Sequence, residues 1–552
     1  MNGQWPLNSK WSEPRAIDLA VASCQLGRAL EGRVLRVARR CRFGQPQALA
    51  TYPVLVPGEA DEQDRARALV PFPTLFWLTC PHIREGVGAL ENDGMIVEMR
   101  RRVEEDGAFR AGYMAANADY ARRRVALLDD DDRNALRALG PSIMQVIGES
   151  GVGGIADPAG VKCLHMHMGH WLATDDNPVG AEVARALETM GRGLECAEGR
   201  CIPERVAAIN VGSNSAKVLI ADAVCRPAPR RGSGRWDPWK CAHGSDARVA
   251  AGLPMVFGVC AASRITGMSR GLESTGVLSP YGRDMAIEAV SRFNSMAATF
   301  GVRKVWMTAT AAARRAQDGQ LFANEIKRQS GRELEIIGGD LEARLSFAGV
   351  SASAGTAERI SHTMPRVLVD DPWHCLVVDS GGLSTELMRM GPEGNLISTS
   401  LPIGAVGLTD EFVKSDPPSP GELEAMETAV RTRLEKAADV LEGDYQRLVV
   451  VGGGGAALAS VSMQLEKFDV DVLHGFELDR AELARLSTML AAVALAEREK
   501  VPGMIQPKRA RVILAGTAII KCLMDAARVT SVVTTPAGIL DGMAAMASAL
   551  RQ

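Results

Sequence analysis

The 552-residue chain reads as an α/β protein: two similar half-domains facing each other across a cleft, preceded by a small α+β domain. Two stretches carry this reading. Leu376–Glu386 is an apolar run ending in Asp379, then the pair Gly381–Gly382, then Ser384 and Thr385, then Glu386 before another apolar run. β-Branched Val377 and Val378 suit a buried strand, and the glycines permit a tight turn into a second one. Val206–Ile220 has the same order of parts, with Asn210 matching Asp379, Gly212 matching Gly381 and Ser215 matching Ser384. A strand–turn–strand unit repeated at a distance of about 170 residues predicts two copies of one structural unit. Glycine turns also let backbone N–H groups approach a phosphate closely. Gly212, Ser213, Asn214 and Ser215 in one loop, and Gly381, Gly382, Ser384 and Thr385 in the other, are the candidate phosphate-binding residues. Asp379, at a strand end beside its loop, is placed to hold a divalent cation through water, as magnesium prefers.

Length allows about three domains. Hydrophobic content of 46% and charged content of 23% are those of a globular protein. A formal net charge of −3 argues against a generic nucleic-acid binder. No apolar stretch reaches the roughly 18 residues of a membrane span, and Met1–Arg15 lacks the apolar core of a signal peptide. Eleven irregularly spaced cysteines point to mostly reduced thiols and a cytoplasmic location.

Along the chain, residues 1–24 read as a lead-in and residues 26–187 as a first domain. Val70–Pro81, hemmed in by prolines, contains one short strand. Val87–Leu128 has helical spacing with breaks at Gly94 and Gly107, and its arginine triplets Arg100–Arg102 and Arg122–Arg124 read as solvated faces. Lys162–His170 gathers Cys163, His165, His167 and His170, and Cys41 and Cys80 could join Cys163 and His165 as sulfur and imidazole ligands for zinc. No C-x₂-C pair supports that site, and buried thiols with diverging imidazoles explain the same residues.

A linker near Cys196–Pro203 leads into the second part, read as half-domains over 205–365 and 366–552. After the first glycine loop comes an insertion, Ala223 to about Val259, in which Arg226, Arg230, Arg231, Arg235 and Lys240 could form a basic arm. Pro280–Phe300 is helical, Lys304–Thr308 a strand, Ala309–Ala316 the start of a helix and Leu334–Ile337 another strand. Arg314 near a helix start is suited to phosphate oxygens. Glu342, just past the Gly338–Gly339 turn, opens a helix that should line the cleft.

The N-terminal motifs Cys41–Pro46, Pro71–Thr74, Trp77–Pro81, Leu90–Glu91, Lys162–His165 and Asn177–Gly180 resemble a small bacterial domain of unassigned function, over about 26–187. From about Arg205 to Leu550 the order of motifs resembles the exopolyphosphatase/guanosine-pentaphosphate phosphatase family, a branch of the actin-like, ribonuclease-H-fold superfamily. The segments that carry this are Ile209–Ser215, Ala309–Arg314, Ile337–Leu345, Asp379–Glu386, Leu401–Val406, Val451–Gly455 and Val512–Gly516. The resemblance implies two actin-like half-domains that hydrolyse a terminal phosphoanhydride bond, with polyphosphate or guanosine pentaphosphate as substrate. It makes Glu342 the general base. Asp379, Glu386 and Asn210 would organise Mg2+ and the attacking water, with Glu386 also counted as catalytic. Gly453 and Gly454 join the two loops and Arg314 in holding substrate. A homodimer is compatible with it, and neither nucleic acid nor membrane is expected as a partner.

The departures from that family are specific. Asn210 stands where Asp is usual, Leu383 where a third glycine is, and Gly267, Gly407 and Leu540 where arginines are. Asn210 drops one negative charge near the cation, Leu383 adds bulk beside a loop that should lie against phosphate, and three anion-binding groups are lost. The expectation is an exopolyphosphatase of altered or reduced activity. The alternatives are a guanosine pentaphosphate phosphatase and a degenerate member that binds polyphosphate or an alarmone to regulate a partner.

Overall fold

The computed structural model describes residues 11–28, 30, 32–55, 69–155, 157, 160–225, 253–356, 374–392 and 395–549. The basic insertion from Arg226 to Lys240 lies outside them. The chain forms two compact units, divided after Pro203.

In the first unit, β1 (Val34–Arg40), β2 (Pro46–Thr51) and β3 (Phe76–Leu78) make an antiparallel sheet, within an otherwise mainly helical unit. Helix α1 (Pro81–Asn92) opens with a proline at its first turn, where the missing N–H costs nothing. The chain breaks at Gly94, whose φ of +90° suits glycine, and again before α2 (Gly107–Leu127), as the sequence predicts. The second arginine triplet is not a solvated face throughout. Arg124 is fully buried and donates to the carbonyls of Ile147, Pro73 and Ser150, so it ties three chain segments together. Helix α3 (Leu164–Thr174) carries the histidine motif.

The second unit contains two sheets of the same design. In the first, β4 (Glu204–Val211), β5 (Ser215–Val224) and β6 (Met255–Ile265) form an antiparallel meander. On the other side of β4 run β7 (Lys304–Ala309) and then β8 (Glu335–Ile336), both parallel. The second sheet repeats this with β10 (Cys375–Ser380), β11 (Thr385–Met390) and β12 (Leu396–Leu401) as the meander. Its parallel strands are β13 (Arg447–Val451) and β15 (Ser531–Thr535). Edge strands β9 (Ser353–Thr356) and β14 (Phe476–Asp479) complete the two six-stranded sheets. The repeat seen in the sequence is therefore a repeat of topology.

Central strands β10 and β13 are apolar runs because helices cover both of their faces. Val377, Val378, Val449 and Val450 have no exposed surface, and each contributes about 1.5–3 kcal/mol by its burial. Helices α4 (Pro280–Thr299) and α5 (Ala311–Arg315) follow β6 and β7. Between the sheets lie α6 (Gly339–Ala352) and α9 (Ile539–Ala549), once α7 (Gly453–Ser462) and α8 (Ile513–Ala527) are counted on the second sheet. Phe347 and Val350 of α6 pack on Val377, Met388 and Val449 of the second sheet. Met543, Ala544 and Ala545 of α9 pack on Val206, Ala208 and Ala221 of the first. Each half-domain thus takes a helix from the other's stretch of chain.

Candidate active site

The two glycine turns close in the same way. Gly212 N–H donates to Ser215 O at 2.9 Å, and Gly381 N–H donates to Ser384 O at 2.8 Å. They also face each other, since a Cβ at Gly382 would lie 3.3 Å from Ser213 Cβ and 3.7 Å from Asn214 Cβ. Carbonyls of Ser213 and Asn214 are fixed by the N–H groups of Ser269 and Thr266. The hydroxyls of those two residues are buried and have no protein partner, so polar capacity is left over behind the first loop.

Three carboxylates lie near the strand ends and the opening turn of α6. Asp379 accepts from Ser346 Oγ, and Glu386 accepts from Ser400 Oγ at 2.8 Å. Glu342 is paired with Arg314, whose Nη1 lies 3.3 Å from Oε2 and 2.7 Å from Ile337 O. Burial, then the charge of Asp379, pushes Glu342 up to about 7 against the pull of Arg314. Burial, then Glu342 and Asp379, pushes Glu386 well above the ordinary carboxylate range. Asp379 is raised too, by burial, with Ser346 and Lys217 acting the other way. Buried carboxylates that repel one another form a set whose charge a bound cation would balance. Among the described residues, three ligand atoms of this set do not come within 4.8 Å of one another. A hydrated ion held partly through water fits that spacing, and magnesium favours such binding.

Asn210 Oδ1 accepts from Thr308 Oγ1 at 3.1 Å, at the strand position corresponding to Asp379. Opposite it on β5 is Lys217, as Glu386 is opposite Asp379 on β11. Sequence reasoning missed Lys217, although the alignment of the two loops places it on Glu386. Burial first, then the charge of Arg509, lowers its ammonium to about 8, while Asp379 raises it. Arg509 was missed as well, and no local spacing announces it. Its guanidinium lies against the first turn of α7, where a Cβ at Gly453 would be 2.3 Å from both Nη atoms. Gly453 and Gly454 open that helix, whose N-terminal N–H groups suit an anion.

Sequence expectations change at two residues of this site. Thr385 is fully buried and its hydroxyl donates to Ile403 O at 2.6 Å, so it supports the turn rather than offering a donor to a ligand. Leu383 does not add bulk on the ligand side. It is buried in the core cluster of the first sheet, and its Cδ2 would be 3.6 Å from a Cβ at Gly407. Leu540 likewise packs against the core under α9. Gly267 is a left-handed turn residue at φ +67°, with the Arg270 side chain lying over it. In the first unit, Cys163 and His165 meet Glu91, whereas Cys41 and Cys80 line a separate cavity of about 10 Å³ with Cys196 and Cys201. Eight described cysteines carry free thiols.

The model of the Ppx/GppA phosphatase family matches residues 247–548, more than half of the chain. The chain belongs to the Ppx/GppA phosphatase family. Residues 37–185 match a family described only as a protein of unknown function, DUF501. Exopolyphosphatase 2 of Mycobacterium tuberculosis is 28% identical over 352 residues, covering 62% of this chain and 97% of the relative. Guanosine-5'-triphosphate,3'-diphosphate pyrophosphatase of Vibrio vulnificus is 27% identical over 291 residues, 52% of this chain and 53% of the relative. An exopolyphosphatase structure from Cytophaga hutchinsonii superposes with a TM-score of 0.51 at 21% identity, covering 63% of this chain and 99% of that one, a likeness of fold. The Ppx/GppA fold of two actin-like half-domains accounts for the paired sheets. No helix among the described residues is long and apolar enough to cross a membrane.

Proposed function

We propose that this protein is an exopolyphosphatase, releasing orthophosphate from the ends of inorganic polyphosphate. The observation that carries the reading is the pair of facing glycine turns beside both the carboxylates and the cations Lys217, Arg314 and Arg509. Phosphoryl transfer asks for in-line positioning and charge neutralisation more than covalent help. The turns and the start of α7 would hold the phosphates through backbone N–H groups, and the three cations would balance their charge. Lys217 and Arg509 also answer the loss of arginines at Gly267, Gly407 and Leu540 without calling on the insertion.

Glu342 acts as general base. It takes a proton from water whose oxygen attacks the terminal phosphorus, while the bridging P–O bond breaks and leaves the shortened chain. A group near pH 7 suits that task, worth roughly 10² to 10⁴ in rate. Arg314 holds Glu342 in place, and Ser400 does the same for Glu386, which orients the water. Asp379, Asn210 and Glu386 would hold a hydrated magnesium ion, which when bound neutralises charge on the phosphate oxygens.

The test is phosphate release from long-chain polyphosphate and from guanosine pentaphosphate, with and without magnesium. Faster magnesium-dependent release from polyphosphate is expected. Preference for the pentaphosphate would reassign the substrate, and no release from either would make the protein a binding member of the family.

A further inference from the structure

The first unit holds a set of convergent ligands, apart from the phosphatase chemistry. One ligand atom each from Glu91, Cys163 and His165 lies within 4.8 Å of the other two. Glu91 is in the last turn of α1, Cys163 is the N-cap of α3 and His165 is in its first turn. All three are partly exposed, so an ion could enter.

The hydrogen bonds decide what this set can do. His165 Nε2 lies 3.2 Å from the carbonyl of Arg84, which can only accept, so Nε2 carries the proton. In the neutral ring, Nδ1 then presents a lone pair, and it points at Glu91 Oε1 from 3.2 Å. Two acceptors facing at that distance need a cation between them, either a proton or a metal. A metal-bound histidine characteristically donates its other N–H to a backbone carbonyl, as His165 does here. Glu91 is itself fixed, since Oε1 accepts the Leu164 N–H at 2.6 Å. The neighbouring histidines are occupied otherwise. Asn177 Nδ2 donates to Nδ1 of both His167 and His170, and both rings are buried.

We propose that Glu91, Cys163 and His165 form a mononuclear zinc site with one coordination position open. A thiolate and an imidazole favour zinc over magnesium or calcium, and carboxylate, thiolate and neutral imidazole together balance a doubly charged ion. Three protein ligands leave the fourth tetrahedral position to water or to an incoming group. The cavity lined by Cys41, Cys80, Cys196 and Cys201 is the rival location, but its sulfurs do not bring three ligand atoms within 4.8 Å.

The full chain, stripped by a chelator, should take up one tight equivalent of zinc. Cys163→Ser and Glu91→Gln should each weaken that equivalent by more than about 100-fold, beyond the usual cost of losing a supporting partner alone. Both variants should keep the far-ultraviolet circular dichroism of the parent. With cobalt as probe, a thiolate charge-transfer band should appear and vanish in Cys163→Ser. Unchanged zinc affinity in both variants would overturn the proposal and leave a histidine–carboxylate ion pair. So would loss of the equivalent in Cys41→Ser but not in Cys163→Ser, which would put the ion in the four-cysteine cavity.

Discussion

A carboxyl group raised from 4.5 to about 7 is a cost that Glu342 imposes on the folded protein. Between those two pH values the unfolded chain has lost a proton that the folded one keeps. Stability therefore falls as pH rises through this window, by roughly 3 kcal/mol in all when no cation compensates. Glu342→Gln removes that cost but also weakens the pairing with Arg314. In cation-free buffer the variant should gain about 1–2 kcal/mol at pH 8 and little at pH 4, as read from urea melts. Its kcat should collapse while polyphosphate binding persists, and the parent's rate should climb as pH passes about 7. A variant less stable at pH 8 would recast Glu342 as mainly a partner for Arg314. At this scale the sequence was informative wherever a residue sits in a repeat. The matched strand positions of Asn210 and Asp379 are legible in the repeat, and the same alignment two residues further on places Lys217 on Glu386. Arg509 was not legible, because only long-range packing brings it to Gly453.

The strand–turn–strand units are readable as units, since tight turns and buried β-branched runs leave little else for these stretches to form. The breaks at Gly94 and Gly107 were readable for a similar local reason. Arg124 was not, because a buried guanidinium satisfied by three carbonyls has the same helical spacing as a solvated one. The start of α7 allows an element-level test. Gly453→Ala should displace Arg509, for its new Cβ would meet the guanidinium at 2.3 Å. Gly454→Ala next to it enters open space. The first change should raise KM for polyphosphate about 10-fold, roughly 1.4 kcal/mol of lost binding, and the second should leave it nearly unchanged. Both should keep or slightly raise thermal stability, because alanine favours a helix over glycine by about 1 kcal/mol. Equal effects on KM would mean that Arg509 does not hold substrate.

The whole molecule turns on the crossing of α6 and α9, which no local pattern announces because the two helices are far apart in sequence. They approach so closely that backbone meets backbone. A Cβ at Gly349 would lie 1.9 Å from Gly538 O, and one at Gly542 would lie 1.9 Å from Leu345 O. Since α6 packs on the second sheet and α9 on the first, a wedge here would push the half-domains apart. Gly349→Ala and Gly542→Ala should each cost about 1–3 kcal/mol, the usual penalty for overpacking, measured by denaturant unfolding. Either should also lower kcat for polyphosphate, because Glu342 rides on α6 while Asp379 and Glu386 belong to the second sheet. The double variant should lose less stability than the two singles combined, since one wedge already opens the contact that the other would strain. Strict additivity, with kcat unchanged, would show that the helices yield separately and that the crossing does not set the spacing of the two half-domains.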